Sequence, residues 1–156
     1  MDVTLSSTER SMRGLSLLPL APGPQLALGP EITLCLGPDK TPVAAMESAV
    51  AFVHRTLPTL LAGSPPALAV SEHITSVVRE LVDIVARDCH AEDILGRVVF
   101  DGAHITISIG EKRGTLPEPD VEPGLYLVRR LVDDIGQYAG DEGGYVVWAS
   151  IPIQEV

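Results

Sequence analysis

The chain has 156 residues, of which 46% are apolar, and its formal net charge is −10. This length is typical of one domain with a sizeable core. The acidic balance argues against nucleic acids and anionic membranes as partners, and no apolar run reaches the roughly 18 residues that span a bilayer. Two cysteines, Cys35 and Cys89, are too few for a disulfide framework, so we expect a reduced, cytoplasmic compartment.

The first 29 residues are rich in Ser, Leu, Pro and Gly and have no hydrophobic period. This composition predicts a flexible or docked N-terminal arm over 1–29, whose leucines could instead cover a groove or a partner subunit. The folded domain is then expected over 30–156. Residues 32–36 alternate like a first strand. Thr41 and Pro42 are typical of a helix start, and we predict a helix over 43–57 that ends before Pro58.

A second helix is predicted over 71–89, after a Gly-Ser-Pro-Pro break at 63–66. Its apolar residues recur at i, i+3, i+4 and i+7, as in a helix buried along one stripe. Ser71 is the expected N-cap. The helix presents Glu80 on its wetter side, with an apolar Ile84 one turn later. Expected i,i+4 ion pairs are Arg79–Asp83 and Asp83–Arg87.

In the second half of the chain the hydrophobic period changes from 3.6 to 2. Residues 98–100 and 105–109 are predicted strands joined by a hairpin turn at Asp101-Gly102. A loop over 110–123, a short helix from Gly124 and closing strands over 136–139 and 145–153 follow. The order β-α-α-β-β-α-β-β predicts an α+β two-layer sandwich. Its sheet is mostly antiparallel but mixed, with the helices on one face.

Three segments carry a resemblance to a known family: ELVDIV at 80–85, EPGLYLV at 122–128 and GGYVVWA at 143–149. Together with the element order, they make residues 31–153 similar to the ATP-binding domain of histidine kinases (the GHKL family). The most similar branch is the small anti-sigma-factor serine kinases and the stand-alone ATP-binding regulators of actinobacteria. The resemblance implies the histidine-kinase ATPase fold.

The same resemblance assigns roles to single positions and shows where this chain departs from them. Glu80 matches the family's general base, but Ile84 stands where the family has the Asn that holds Mg²⁺. The family's adenine-binding Asp is missing after the third strand, where Gly110 and Gly114 are spaced differently. In the family motif G-x-G-L-x-L-V, which residues 122–128 match in part, Glu122 stands at the first glycine position, whereas Gly124 and Leu125 are kept. If any nucleotide binds, the resemblance implies Gly110, Gly124 and Leu125 as its contacts.

These departures lead us to expect a non-catalytic regulatory protein, a pseudokinase that acts by protein–protein binding without a cofactor or metal ion. The resemblance implies a sigma factor or its regulator as partner and a homodimer, with residues 43–57 and 1–30 as the surfaces to test. One alternative is an active serine or histidine kinase that uses ATP and Mg²⁺, with Glu80 as base and Gly124 cradling the phosphates. A third is a phosphotransfer protein using His54. The simplest interpretation makes His54 a surface residue and Glu80 solvated, or paired with Arg79 or Arg129.

Overall fold

The structure, a computed structural model, describes residues 30–38, 41–89, 93–118 and 121–153. The elements follow the predicted order, with one additional short helix. They are β1 (Glu31–Leu36), α1 (Pro42–Leu60), α2 (Pro65–Ala69), α3 (Ser71–Arg87), β2 (Ile94–Phe100), β3 (His104–Lys112), α4 (Pro123–Leu131), β4 (Asp134–Ala139) and β5 (Tyr145–Pro152). The predicted arm, residues 1–29, lies outside the described residues.

The five strands form one sheet in the order β1-β2-β3-β5-β4, and each neighbouring pair is antiparallel. The α+β class and the two-layer arrangement are therefore confirmed. The sheet is not mixed, however, because no parallel pair occurs among the described strands. No helix in the described part of the chain is long and apolar enough to cross a membrane.

The core lies between one face of the sheet and the two long helices. α3 packs against α1 and against β3, and α4 packs against α3. The predicted apolar stripe of α3 is confirmed, since each of its members is fully buried: Ile74, Val77, Val78, Leu81, Val82 and Val85. Each such side chain contributes about 1.5–3 kcal/mol when it is removed from water. This burial fixes which side of α3 faces α4 and the rest of the chain.

Trp148 lies on the sheet, opposite Ser108 on β3 and Gly136 on β4. A Cβ atom at position 136 would come within 2.9 Å of the indole ring, so glycine leaves the space that the ring occupies. The indole ring of Trp148 therefore packs on a face of the sheet.

The start of α1 is as predicted, but its end is not. The Thr41 hydroxyl accepts a hydrogen bond from the Ala44 backbone N–H at 3.1 Å, which caps the helix. The predicted end before Pro58 is wrong, because α1 continues to Leu60. Pro58 lies in the last turn of α1, where the Leu61 backbone N–H still donates a hydrogen bond to the Leu57 carbonyl at 2.9 Å. Both leucines are buried, so packing offsets the lost hydrogen bond of proline.

The expected cap of α3 is also wrong, because Val70 occupies the N-cap position and Ser71 is the first helical residue. The Ser71 hydroxyl donates to the Leu68 carbonyl at 2.8 Å instead. The missed helix α2 explains the difference. It begins after Ser64, whose hydroxyl accepts from the Ala67 N–H at 3.3 Å, and it leads directly into α3. The two prolines of the predicted break therefore start a helix.

The predicted loop over 110–123 begins too early, because β3 continues to Lys112. Lys112 pairs with Tyr145 on β5, beyond an irregularity in the register. The carboxylate of Glu111, which is buried, accepts hydrogen bonds from the backbone N–H groups of Glu142 at 2.9 Å and Gly144 at 2.7 Å. These bonds tie the end of β3 to the turn between β4 and β5.

Candidate functional site

The structure brings together two residues that the sequence singled out, Glu80 on α3 and Gly124 in the first turn of α4. A Cβ atom at position 124 would overlap Oε1 of Glu80, so the carboxylate lies directly against the glycine. α4 begins at Pro123 with Glu122 as its N-cap residue, and no side chain caps it. A helix N-terminus and an acidic side chain therefore meet where α4 packs on α3.

Arg87 lies one helical turn beyond Asp83 and links α3 to the start of α4. Its Nη2 atom lies 2.7 Å from Oε2 of Glu122 and 3.2 Å from Oδ2 of Asp83. The predicted Asp83–Arg87 pair is confirmed. The predicted Arg79–Asp83 pair is wrong, because among the described residues the Asp83 carboxylate pairs with Arg87 instead. We call Glu80, Asp83, Arg87, Glu122 and Gly124 the α3–α4 site.

The Arg87–Glu122 pair was not predicted, because its members are 35 residues apart in the chain. The only signal available was that Glu122 replaces a glycine of the family pattern, beside a helix start. A carboxylate at that position has no role in holding phosphate, and the structure shows that it binds an arginine of α3.

The Glu80 carboxylate differs from those of Asp83 and Glu122, which both pair with Arg87. Among the described residues, Glu80 has no hydrogen bond or ion pair, and in particular none with Arg79 or Arg129. Burial raises the pKa of this carboxyl, and the negative charges of Asp83 and Glu122 raise it further. The positive charges of Arg79 and Arg87 lower it by less than that. A half-buried carboxyl group with a raised pKa has the properties of a general base, although structural groups share them.

Ile84 and Leu125 supply no polar atom to the site. Ile84 is only 3% exposed and Leu125 only 2%. Both side chains therefore act as packing residues. At position 84, where the resemblance expects an amide that holds Mg²⁺, the structure has a buried aliphatic group.

Gly110 is not in a loop, as predicted, but inside β3, where it pairs with Leu95 of β2. A Cβ atom at Gly110 would lie 2.8 Å from Cγ2 of Val146, so the packing of β5 accounts for the glycine. A Cβ atom at Gly110 would thus meet Val146, whereas a Cβ atom at Gly124 would meet Glu80.

The segment after β3 is fastened to the end of α3. The Asp88 carboxylate accepts hydrogen bonds from Nζ of Lys112 at 3.0 Å and from the Gly114 backbone N–H at 3.2 Å. Lys112 also donates to the Thr115 carbonyl at 3.1 Å. The hydrogen bond from Lys112 is the main cause of a lowered Asp88 pKa. The segment after β3 thus forms a hydrogen-bonded turn at the end of α3.

His54 lies on a different element from the other candidates, on the exposed side of α1. Within the described ranges, no group of three or more His, Cys, Asp or Glu side chains is arranged to hold a metal ion. Cys35 is an exposed free thiol.

Comparison of the chain with protein-family models and with curated proteins gives no significant match. The chemistry of the α3–α4 site, and the surfaces around it, are therefore the basis for inferring a function.

Proposed function

We propose that this chain is a non-catalytic regulatory protein with a kinase-like ATPase domain, which acts by binding a protein partner in the cytoplasm. The observation that carries the proposal is the occupied helix start: Glu80 lies against Gly124, and Arg87 holds Glu122 beside it. In an ATP-binding relative, that helix start would hold phosphate groups.

Electrostatics oppose a triphosphate at the α3–α4 site. Three carboxylates and one guanidinium meet there, so the cluster is net negative whether or not Glu80 is ionised. Phosphates would be repelled by this charge. Magnesium would need oxygen ligands, yet the carboxylates of Asp83 and Glu122 are already paired with Arg87. Position 84 offers only a buried aliphatic side chain.

One observation favours the second candidate, an active ATP-dependent kinase. Glu80 is the one carboxylate of the cluster without an ion-pair partner in the described part of the chain, and its pKa is raised. A kinase would use such a group to take a proton from the attacking hydroxyl. To admit ATP, however, the Arg87–Glu122 pair would have to open and Glu80 would have to leave Gly124.

The two functions are separated by titrating the full chain with a fluorescent ATP analogue, with and without Mg²⁺, and by following thermal unfolding at millimolar ATP. A ligand at 100 times its Kd stabilises a fold by about 2.7 kcal/mol. In a domain of this size, that corresponds to a melting temperature higher by roughly 10 °C. We expect neither saturable binding nor such a shift.

Gly124→Ala provides the matched control, because the added methyl group fills the space at the helix start. Saturable Mg²⁺-dependent binding that this variant abolishes would overturn the non-catalytic proposal. If Glu80→Gln then retained nucleotide binding but lost phosphate transfer, the kinase would replace it. The resemblance makes a sigma factor or its regulator the first partner to test, and a homodimer the first assembly.

A further inference from the structure

The outward side of α4 carries an unusual set of side chains. Pro123, Tyr126, Leu127 and Arg130 are spaced at i, i+3, i+4 and i+7, and all of them are exposed. Tyr126 is 56% exposed and Leu127 is 40% exposed, and Val121 just before the helix is 71% exposed. The opposite side of the helix, with Leu125 and Val128, is buried. α4 thus has apolar residues on both sides.

A surface helix of a globular protein normally presents polar side chains to water. Large apolar side chains that are exposed together mark interaction surfaces more often than isolated ones do. Tyrosine and arginine are also the residue types most enriched among those that dominate binding energy. We call Tyr126, Leu127, Arg129 and Arg130 the α4 stripe.

Charge identifies the kind of partner that fits the α4 stripe. The chain has a net charge of −10, yet two adjacent arginines lie on this one short helix. Neither Arg129 nor Arg130 has an ion pair in the described residues, so both guanidinium groups can bind carboxylates of a partner.

Arg130 contacts an aromatic ring instead of a carboxylate. Its guanidinium lies 6.0 Å from the centroid of the Tyr126 ring. Such stacking leaves the charge available to an incoming carboxylate. The ring and both guanidinium groups can therefore be contacted by the same ligand.

We propose that the α4 stripe docks a segment of a partner protein in which acidic side chains flank aromatic or aliphatic ones. The carboxylates of that segment bind Arg129 and Arg130, and its apolar side chains cover Tyr126 and Leu127. This inference rests on the proposed protein-binding function and assigns it a surface. It differs from residues 43–57, the surface that the family resemblance implies.

The test is selection from a library of displayed random 16-residue peptides on the full chain, followed by titration of the best peptide by fluorescence anisotropy. The stripe variant is Leu127→Ser with Arg130→Glu. The matched control on α1 is Val43→Ser with Arg55→Glu, because Val43 is 57% exposed and Arg55 stacks on Phe52 as Arg130 does on Tyr126. Circular dichroism and melting curves check that both variants fold.

We expect the enriched peptides to combine Asp or Glu with aromatic or aliphatic residues. The best one should bind the wild type and the α1 control equally, and the stripe variant at least tenfold more weakly. Its affinity should fall as salt is raised from low to physiological concentration, because exposed charges are then screened.

The inference is overturned if no peptide is enriched, if the enriched peptides are basic, or if the α1 control loses binding instead. A dimer seen by sedimentation that the stripe variant dissociates would make a second copy the occupant. Binding of the chain to phosphatidylserine vesicles that the stripe variant abolishes would make a membrane surface the occupant. Nucleotide binding that leaves peptide binding intact would refute the non-catalytic function alone. If no selected peptide depends on the α4 stripe and the chain binds no nucleotide either, the docking surface alone is refuted.

Discussion

Replacing Ile84 by Asn introduces the residue that the GHKL resemblance would place at this position, and we expect it to destabilise the domain rather than create a magnesium site. The Ile84 side chain is 3% exposed. Truncating a buried isoleucine costs about 2–5 kcal/mol, and burying an amide without partners costs about 1–3 kcal/mol in mutational data. Because Asn fills part of the cavity, we expect a loss of about 4 kcal/mol. That is a large part of a typical domain's stability of about 5–15 kcal/mol.

Urea unfolding followed by circular dichroism measures this loss by linear extrapolation. Ile84→Val is the matched control, with an expected cost of about 1 kcal/mol, because it removes one methylene group and adds no polar atom. ATP with Mg²⁺ should not shift the unfolding midpoint of the Asn variant. If Asn costs no more than Val, the side chain at position 84 reaches water and is able to offer an oxygen to a cation. That result would refute the reasoning against nucleotide binding.

Three other substitutions test the electrostatics. Glu111→Ala removes two hydrogen bonds to a buried carboxylate, so we expect the free energy of unfolding to fall by about 3 kcal/mol and the melting temperature by roughly 10 °C. The exposed control Glu47→Ala should change the free energy of unfolding by less than about 0.5 kcal/mol. Equal losses in the two variants would contradict the role of Glu111. Because burial raises the folded-state pKa of Glu80, the folded chain holds that proton more tightly than the unfolded chain, so stability falls as pH rises from the ordinary value of 4.5 through the folded pKa. Glu80→Gln removes this loss, and its urea midpoint should exceed that of the wild type more at pH 7.5 than at pH 4; the reverse order would show that the ionised form is stabilised. Arg87→Ala breaks two ion pairs of a side chain that is 44% exposed, so the expected loss is only about 1 kcal/mol, and it should shrink in high salt if the interaction is electrostatic.

Elements with a strong hydrophobic period were predictable. The stripe of α3 and the strands around Asp101-Gly102 follow periods of 3.6 and 2 that each segment carries in its own residues. Boundaries were predicted less well where packing outweighs a local signal. Pro58 lies inside α1 because Leu57 and Leu61 are buried on either side of it. β3 extends beyond its periodic segment because the Glu111 carboxylate accepts hydrogen bonds from the turn that follows β4.

The candidate site was predictable only in part. Glu80 and Gly124 were singled out separately, by a family pattern, and Ile84 was recognised as a residue unable to bind a metal ion. Nothing in the sequence placed Arg87 beside Glu122, since that contact joins two helices through their packing.

Local residue patterns were therefore sufficient to predict the class of fold, the buried stripe of α3 and the absence of a metal-binding group on the side chain at position 84. These depend on residue types and short-range spacing, which a chain expresses locally. The contact of Glu80 with Gly124, the ion pair of Arg87 with Glu122 and the outward position of Tyr126 and Leu127 depend on the tertiary structure. Each of these follows from how α4 packs on α3, and burial of Leu125 and Val128 against the rest of the domain sets that packing.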